Sequence, residues 1–135
     1  MTSQTQPKLL LIDDEPWICD ALTALLTDEG FDVTVAGNAK QCFDALARQT
    51  GDCFAAIIMD WHLKGGMEGQ ELLDQIHLRC HRTPVFVVSG DPSVTEMIQK
   101  TRGDGVLAVN KPIMDFSAFA ELVKHTATHK DDHRP

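Results

Sequence analysis

Phe54–Asp60 reads F-A-A-I-I-M-D, an almost entirely apolar run closed by one carboxylate. That is the pattern of a strand buried on both faces of a parallel sheet, and it places this segment at the sheet centre. Glu68–Arg79 follows with Leu72, Leu73 and Ile76 at inward helical positions. Upstream, Lys8–Ile12 is the first strand; after Pro16, the residues Ile18, Leu22, Leu25 and Leu26 recur at helical spacing until Gly30 supplies a C-cap. Phe31–Ala36 is a β-branched second strand, and Asn38 with Gln41 forms a capping pair opening a helix through Phe43, Leu46 and Ala47, which Gly51 closes. Downstream, Pro84–Val88 is the fourth strand, Asp91 and Pro92 start the next helix, Val106–Val109 is the fifth strand, and a last helix begins near Asp115.

Five strands alternating with five helices imply right-handed crossovers and a parallel sheet covered on both faces, a three-layer doubly wound α/β domain. The 135 residues, 43% of them hydrophobic, suit one such domain over residues 8–128, with a disordered N-terminus at 1–7 and a polar tail at 129–135. Twelve basic against twenty acidic residues give a net charge of −8, which argues against direct nucleic-acid binding. Met1–Pro7 is polar and unlike a signal peptide, and no apolar run approaches the roughly 20 residues of a membrane span, so a soluble cytoplasmic protein without membrane insertion is expected. Cys19, Cys42, Cys53 and Cys80 form no C-x-x-C pair and are expected to be reduced packing residues.

Ligands of an open parallel sheet bind beyond the carboxyl ends of its strands. The first strand ends in Asp13, Asp14 and Glu15, the third in Asp60, the fourth in Ser89, and the fifth in Asn110 and Lys111. Carboxylates gathered in one cleft repel each other unless a cation neutralises them, and an oxygen-rich site of this kind favours Mg²⁺. Mg²⁺ takes one or two protein carboxylates and keeps waters and phosphate oxygens in its other positions, as a phosphoryl-transfer site requires; beside it Ser89 would donate to one phosphoryl oxygen and the Lys111 ammonium would face another. Taken singly, the acidic run reads as a solvated turn, Lys111 as a surface lysine and Ser89 as a capping hydroxyl; their coincidence reverses those readings.

The motifs L-L-L-I-D-D-E-P at the first strand, I-I-M-D at the third, V-V-S-G at the fourth and N-K-P at the fifth occur in one order and spacing. In them the chain resembles the receiver domain of two-component response regulators, from about Lys8 to His125. The resemblance implies a flavodoxin-like five-stranded sheet in the order 2-1-3-4-5. It makes Asp60 the phosphoacceptor, with Asp14 and Asp60 binding Mg²⁺ directly, Asp13 acting mainly through a water, and His62 adding its backbone carbonyl. Ser89 and Lys111 would contact the phosphoryl group, and Lys111–Pro112 would be a cis peptide. The phosphodonor would be the phosphohistidine of a histidine kinase or a phosphotransfer protein.

Three departures bear on the output of such a domain. Ala108 stands where an aromatic ring is usual, so an aromatic rotamer switch is not available there. Ser89 replaces threonine and Gly90 a small alanine, which keeps the hydroxyl but loosens the coupling. The loop W-H-L-K-G-G-M-E-G after Asp60 has Lys64 where proline is frequent and one residue more than usual, so added mobility is expected. His77 with His81, and His125 with His129 and His133, share i, i+4 spacing, and are read as exposed polar faces rather than metal sites. Trp61 beside the acceptor is either a gate and fluorescent reporter of the site or a simple packing residue.

The expected function is a stand-alone signalling switch, not a turnover enzyme, whose phosphorylation alters affinity for an unknown downstream protein. The short tail after the last helix leaves the output to a partner or a further phosphorelay step, unless the chain is excised from a longer kinase or regulator. An alternative is a degenerate receiver acting as a phosphorylation-independent interaction module. The same sheet order also serves hydrolases with a nucleophilic aspartate, which a D-x-D-x-T run would favour, and flavin carriers, which a colourless preparation would exclude.

Overall fold

The computed structural model describes residues 6–49, 53–63, 67–101 and 105–128. Its elements run β1 (Lys8–Ile12), α1 (Pro16–Asp28), β2 (Asp32–Ala36), α2 (Ala39–Arg48), β3 (Ala56–Asp60), α3 (Gly69–Arg79), β4 (Val85–Ser89), α4 (Pro92–Thr101), β5 (Val106–Asn110) and α5 (Phe116–Thr128). All strand pairs are parallel, in the order β2-β1-β3-β4-β5. This is the flavodoxin-like doubly wound sheet with five helices that the motifs implied.

Alternation along the inner strands divides the core into two layers. Leu10, Ile12, Ile57, Met59, Val85 and Val87 face α2, α3 and α4, meeting Cys42, Leu46, Leu72, Leu73, Ile76 and Ile98. Leu9, Leu11, Ala56, Ile58, Phe86 and Val88 face α1 and α5, meeting Ile18, Leu22, Leu26, Phe119 and Val123. Every residue of β3 and β4 is buried, which explains why Phe54–Asp60 and Pro84–Ser89 show no polar alternation. Each fully buried large apolar side chain adds about 1.5–3 kcal/mol, set against the entropy of ordering the chain.

Local signals in the sequence fall within one or two residues of the observed ends. Gly30 takes φ +99° after α1, a left-handed conformation that a side chain would resist. Asn38 Oδ1 accepts from the Gln41 N–H at 2.8 Å, while Gln41 Oε1 accepts from the Gly37 N–H at 2.6 Å, one residue ahead of the usual capping-box partner. Asp91 Oδ1 accepts from Ser93 N–H at 2.9 Å and Asp115 Oδ1 from Ala118 N–H at 2.9 Å, opening α4 and α5. Pro84, expected as the first residue of the fourth strand, has no N–H to give; its carbonyl accepts from Ile57 N–H at 3.0 Å and the regular ladder starts at Val85. His81 lies beyond the end of α3 at Arg79, so it shares no helical face with His77. Gly51, Lys64, His129 and His133, and the segments 1–5 and 129–135, lie outside the described residues.

The cysteines require a correction. Cys19 and Cys42 are free and buried, as expected of packing residues. Cys53 and Cys80, however, pair as a disulfide with Cα atoms 5.8 Å apart across 27 residues of sequence. Spacing alone concealed this pair, because only the packing of α3 under β3 brings the chain before Ala56 to the end of α3.

Candidate functional site

The ends of β1, β3, β4 and β5 converge on one edge of the sheet. Asp13 extends β1 by donating its N–H to the Ala36 carbonyl at 3.0 Å, and its Oδ1 accepts from the Glu15 N–H at 2.9 Å. Asp60 is the last residue of β3; the next residue, Trp61, donates its N–H to Val88 O at 2.9 Å and so keeps the chain tied to β4. Both carboxylates are 5% exposed. The register of β4 on β5 sets Ser89 beside Asn110, and the Lys111 N–H then donates to the Ser89 carbonyl at 2.9 Å. The Lys111–Pro112 bond is cis.

Lys111 closes the group. Its Nζ donates to Asp60 Oδ2 at 3.1 Å and lies 2.9 Å from Glu15 Oε1, while Asp60 Oδ1 accepts from the His62 N–H at 3.0 Å. Burial opposes the ammonium charge, yet the hydrogen bonds to Glu15 and Asp60 outweigh it and hold Lys111 above its ordinary range. Burial raises the Asp13 carboxyl, the Glu15 N–H lowers it and the Asp60 charge raises it, leaving it above its ordinary value. The Cys19 thiol, 3.3 Å from the Asp13 carbonyl, is pushed up to about 11 by burial and by the nearby acids, so it is protonated and inert at neutral pH.

Of the residues expected in the site, Asp13, Asp60, Ser89 and Lys111 come together. Carboxylate oxygens of Asp13, Glu15 and Asp60 all lie within 4.8 Å of one another, and Asp14 is not in that group. Sequence reasoning names Glu15 among the acids that end the first strand but gives it no role; its signal is that it is the third acid of that run. A second contact is also missed: His62 contributes a side chain as well as a backbone, with Nε2 3.1 Å from Ser89 Oγ.

Three carboxylates against one ammonium leave a surplus of two negative charges in a largely buried cleft. That surplus, with hard oxygen donors and a raised Asp13, fits a divalent hard cation such as Mg²⁺. The two readings of Trp61 resolve toward packing: a Cβ added to Gly69 would lie 2.5 Å from Trp61 Cδ2 and 2.7 Å from its carbonyl, so the indole rests directly on the start of α3. Beside the acids, a cavity of about 310 Å³ runs toward Trp17 and Phe116, whose rings stack at 6.3 Å.

Comparison with known proteins agrees with the fold. The sequence profile of the response regulator receiver domain matches residues 9–124. The chain is 32% identical over 107 residues to the C4-dicarboxylate transport transcriptional regulatory protein DctD of Pseudomonas aeruginosa, covering 79% of this chain and 22% of that protein. It thus spans about a fifth of the length of the curated relatives it matches first. A CheY-like receiver domain protein from Methanospirillum hungatei superposes with TM-score 0.80 at 21% identity, over 96% of this chain and 100% of the other. The signal receiver domain of an HD domain-containing protein from Pseudomonas fluorescens superposes with TM-score 0.77 at 26% identity, over 99% and 96% of the two chains.

Proposed function

The chain belongs to the response regulator receiver domain family, and we propose that it accepts a phosphoryl group on Asp60 from the phosphohistidine of a histidine kinase or phosphotransfer protein. The observation that carries the reading is the contact of Lys111 Nζ with Asp60 Oδ2 at 3.1 Å, inside a cleft that also holds Asp13. A buried carboxylate is costly without a partner; here one lysine pairs with Asp60 and orients it.

In the transfer, the phosphorus–nitrogen bond of the donor breaks, a phosphorus–oxygen bond to Asp60 forms, and the leaving imidazole takes up a proton. The Lys111 ammonium would follow the charge from the free carboxylate to the phosphoryl oxygens, and Ser89 would donate its hydroxyl to one of them. Asp13, Asp14 and Asp60, with the carbonyl of His62, would hold Mg²⁺. When bound, the metal supplies neutralisation of the charge shared by acceptor and phosphoryl group. Hydrolysis of the acyl phosphate resets the chain, which is therefore a switch rather than a turnover enzyme. Its place is the cytoplasm, where kinase phosphohistidines are formed, and among the described residues no helix is long and apolar enough to cross a membrane.

The output we propose is a shifted surface that changes affinity for a downstream protein, the chain acting as a separate receiver. Ala108 excludes the aromatic rotamer device at that position, so the signal would leave through backbone coupling of Ser89 and Lys111 to β4 and β5. Intact mass after incubation with a small-molecule acyl phosphate, with and without Mg²⁺, tests the acceptor. A Mg²⁺-dependent phosphoryl adduct lost in Asp60→Asn is expected. No adduct on the wild type from either that donor or a phosphorylated kinase would leave the phosphorylation-independent interaction module as the better reading.

A further inference from the structure

Ser89 is fully buried and its hydroxyl has a narrow set of partners. Its Oγ accepts from the Asp91 N–H at 3.0 Å and stands 3.1 Å from His62 Nε2. A hydroxyl has two acceptor positions and one proton. If the imidazole donates through Nε2–H, both acceptor positions are filled, and the single hydroxyl proton has only the acceptor side of the cleft left to point into. If instead Nε2 carried no proton, it would take the hydroxyl proton itself, and Ser89 would have nothing left to offer a phosphoryl oxygen.

Serine at this position makes the point sharper. A β-branched residue is stiff at χ1, so threonine would hold its hydroxyl by the methyl group alone. Serine lacks that restraint and has only its hydrogen bonds to hold the hydroxyl, whose proton must be ordered before it can assist a transfer. His62 is exposed to solvent while Ser89 is buried, and the 3.1 Å contact of Nε2 with Oγ joins the two.

We propose that the His62 side chain is a positioning residue for phosphoryl transfer, donating Nε2–H to Ser89 Oγ so that the Ser89 hydroxyl is fixed as a donor toward Asp60. This rests on the phosphoacceptor reading and extends it: it gives the imidazole a task separate from the backbone carbonyl, and it makes the His62–Ser89 pair the counterpart of a single threonine.

The test is a set of rate constants for phosphoryl gain from an acyl phosphate donor with Mg²⁺, followed by intact mass. His62→Ala should slow gain about tenfold, the factor carried by one neutral hydrogen bond of ordinary strength. His62→Gln, which offers an amide N–H at similar reach, should recover most of the rate. Adding Ser89→Thr to the His62→Ala variant should recover it as well, since the methyl replaces the lost restraint. In a Ser89→Ala background, His62→Ala should have no further effect. Long-range ¹H–¹⁵N correlation spectra of the wild type should show His62 Nε2 protonated.

A reactive wild type with unchanged or faster gain in His62→Ala overturns this inference alone, as does an equal loss in the Ser89→Ala background or an unprotonated Nε2. An unreactive wild type overturns the phosphoacceptor reading and this inference with it.

Discussion

Asp13 carries its carboxyl in a place that disfavours the charged form. Burial raises its carboxyl above the ordinary 3.8 and the Asp60 charge adds to the rise, against the Glu15 N–H that lowers it. For an acid raised on folding, the stability this group contributes is fully present below its unfolded value and is lost as pH rises through its folded value, so the ionised form of Asp13 works against the metal-free fold. Asp13→Asn keeps the Oδ1 that accepts from Glu15 and removes the charge. It should stabilise the metal-free protein by about 1 kcal/mol, a rise of roughly 3–5 °C in melting temperature, and flatten the loss of stability above about pH 4. The same variant should shrink the rise that millimolar Mg²⁺ gives the wild type, because a ligand stabilises only in proportion to its affinity for the folded state. Melting curves with and without Mg²⁺ check both signs; a lower metal-free melting temperature in the variant would remove the charge-strain account of the site.

The junction between β3 and α3 is where an element, rather than a residue, sets the site. Trp61 leaves β3 tied to Val88, and its ring lies on Gly69, the first residue of α3, where a Cβ would collide at 2.5 Å. Gly69→Ala must therefore move either the indole or the helix start, at about 1–3 kcal/mol, the usual cost of overpacking a filled contact. Urea unfolding followed by tryptophan fluorescence should show this as a lower midpoint with an altered native-state emission. An unchanged midpoint would mean that Trp61 moves aside freely, which is the behaviour of a gate and not of a packed ring. The caps of the helices were readable because Asn38, Asp91 and Asp115 act within three residues of themselves. The Trp61–Gly69 contact was not, since glycine in a loop-to-helix junction carries no mark of what lies against it.

At the scale of the whole molecule, Cys53–Cys80 joins the entry to β3 with the end of α3, at the opposite edge of the sheet from the acids. Closing a loop of 27 residues lowers the entropy of the unfolded chain by an amount worth about 3–4 kcal/mol in the loop-entropy picture. Reduction should thus lower the melting temperature by about 10 °C, and Cys80→Ser should abolish the response to reductant. Cys42 takes no part: burial pushes its thiol up to about 12, so it neither ionises nor exchanges under these conditions. Thiol counting before and after denaturation, with melting curves in both redox states, checks the prediction; equal melting temperatures would show that the bond adds nothing.

The sequence by itself determined the element order, the burial of β3 and β4 and the convergence of Asp13, Asp60, Ser89 and Lys111, because these follow from periods of 2 and 3.6 residues and from the rule that strand ends gather on one edge. Only the tertiary structure decided which atoms meet there. Glu15 joins Asp13 and Asp60, His62 reaches Ser89 across 27 residues, Lys111 reaches Asp60 across 51, and Cys80 reaches Cys53. Periodicity tells which side of an element a residue occupies, whereas these partners are set by the crossovers that place β3 between β1 and β4, and no spacing in the chain records that placement.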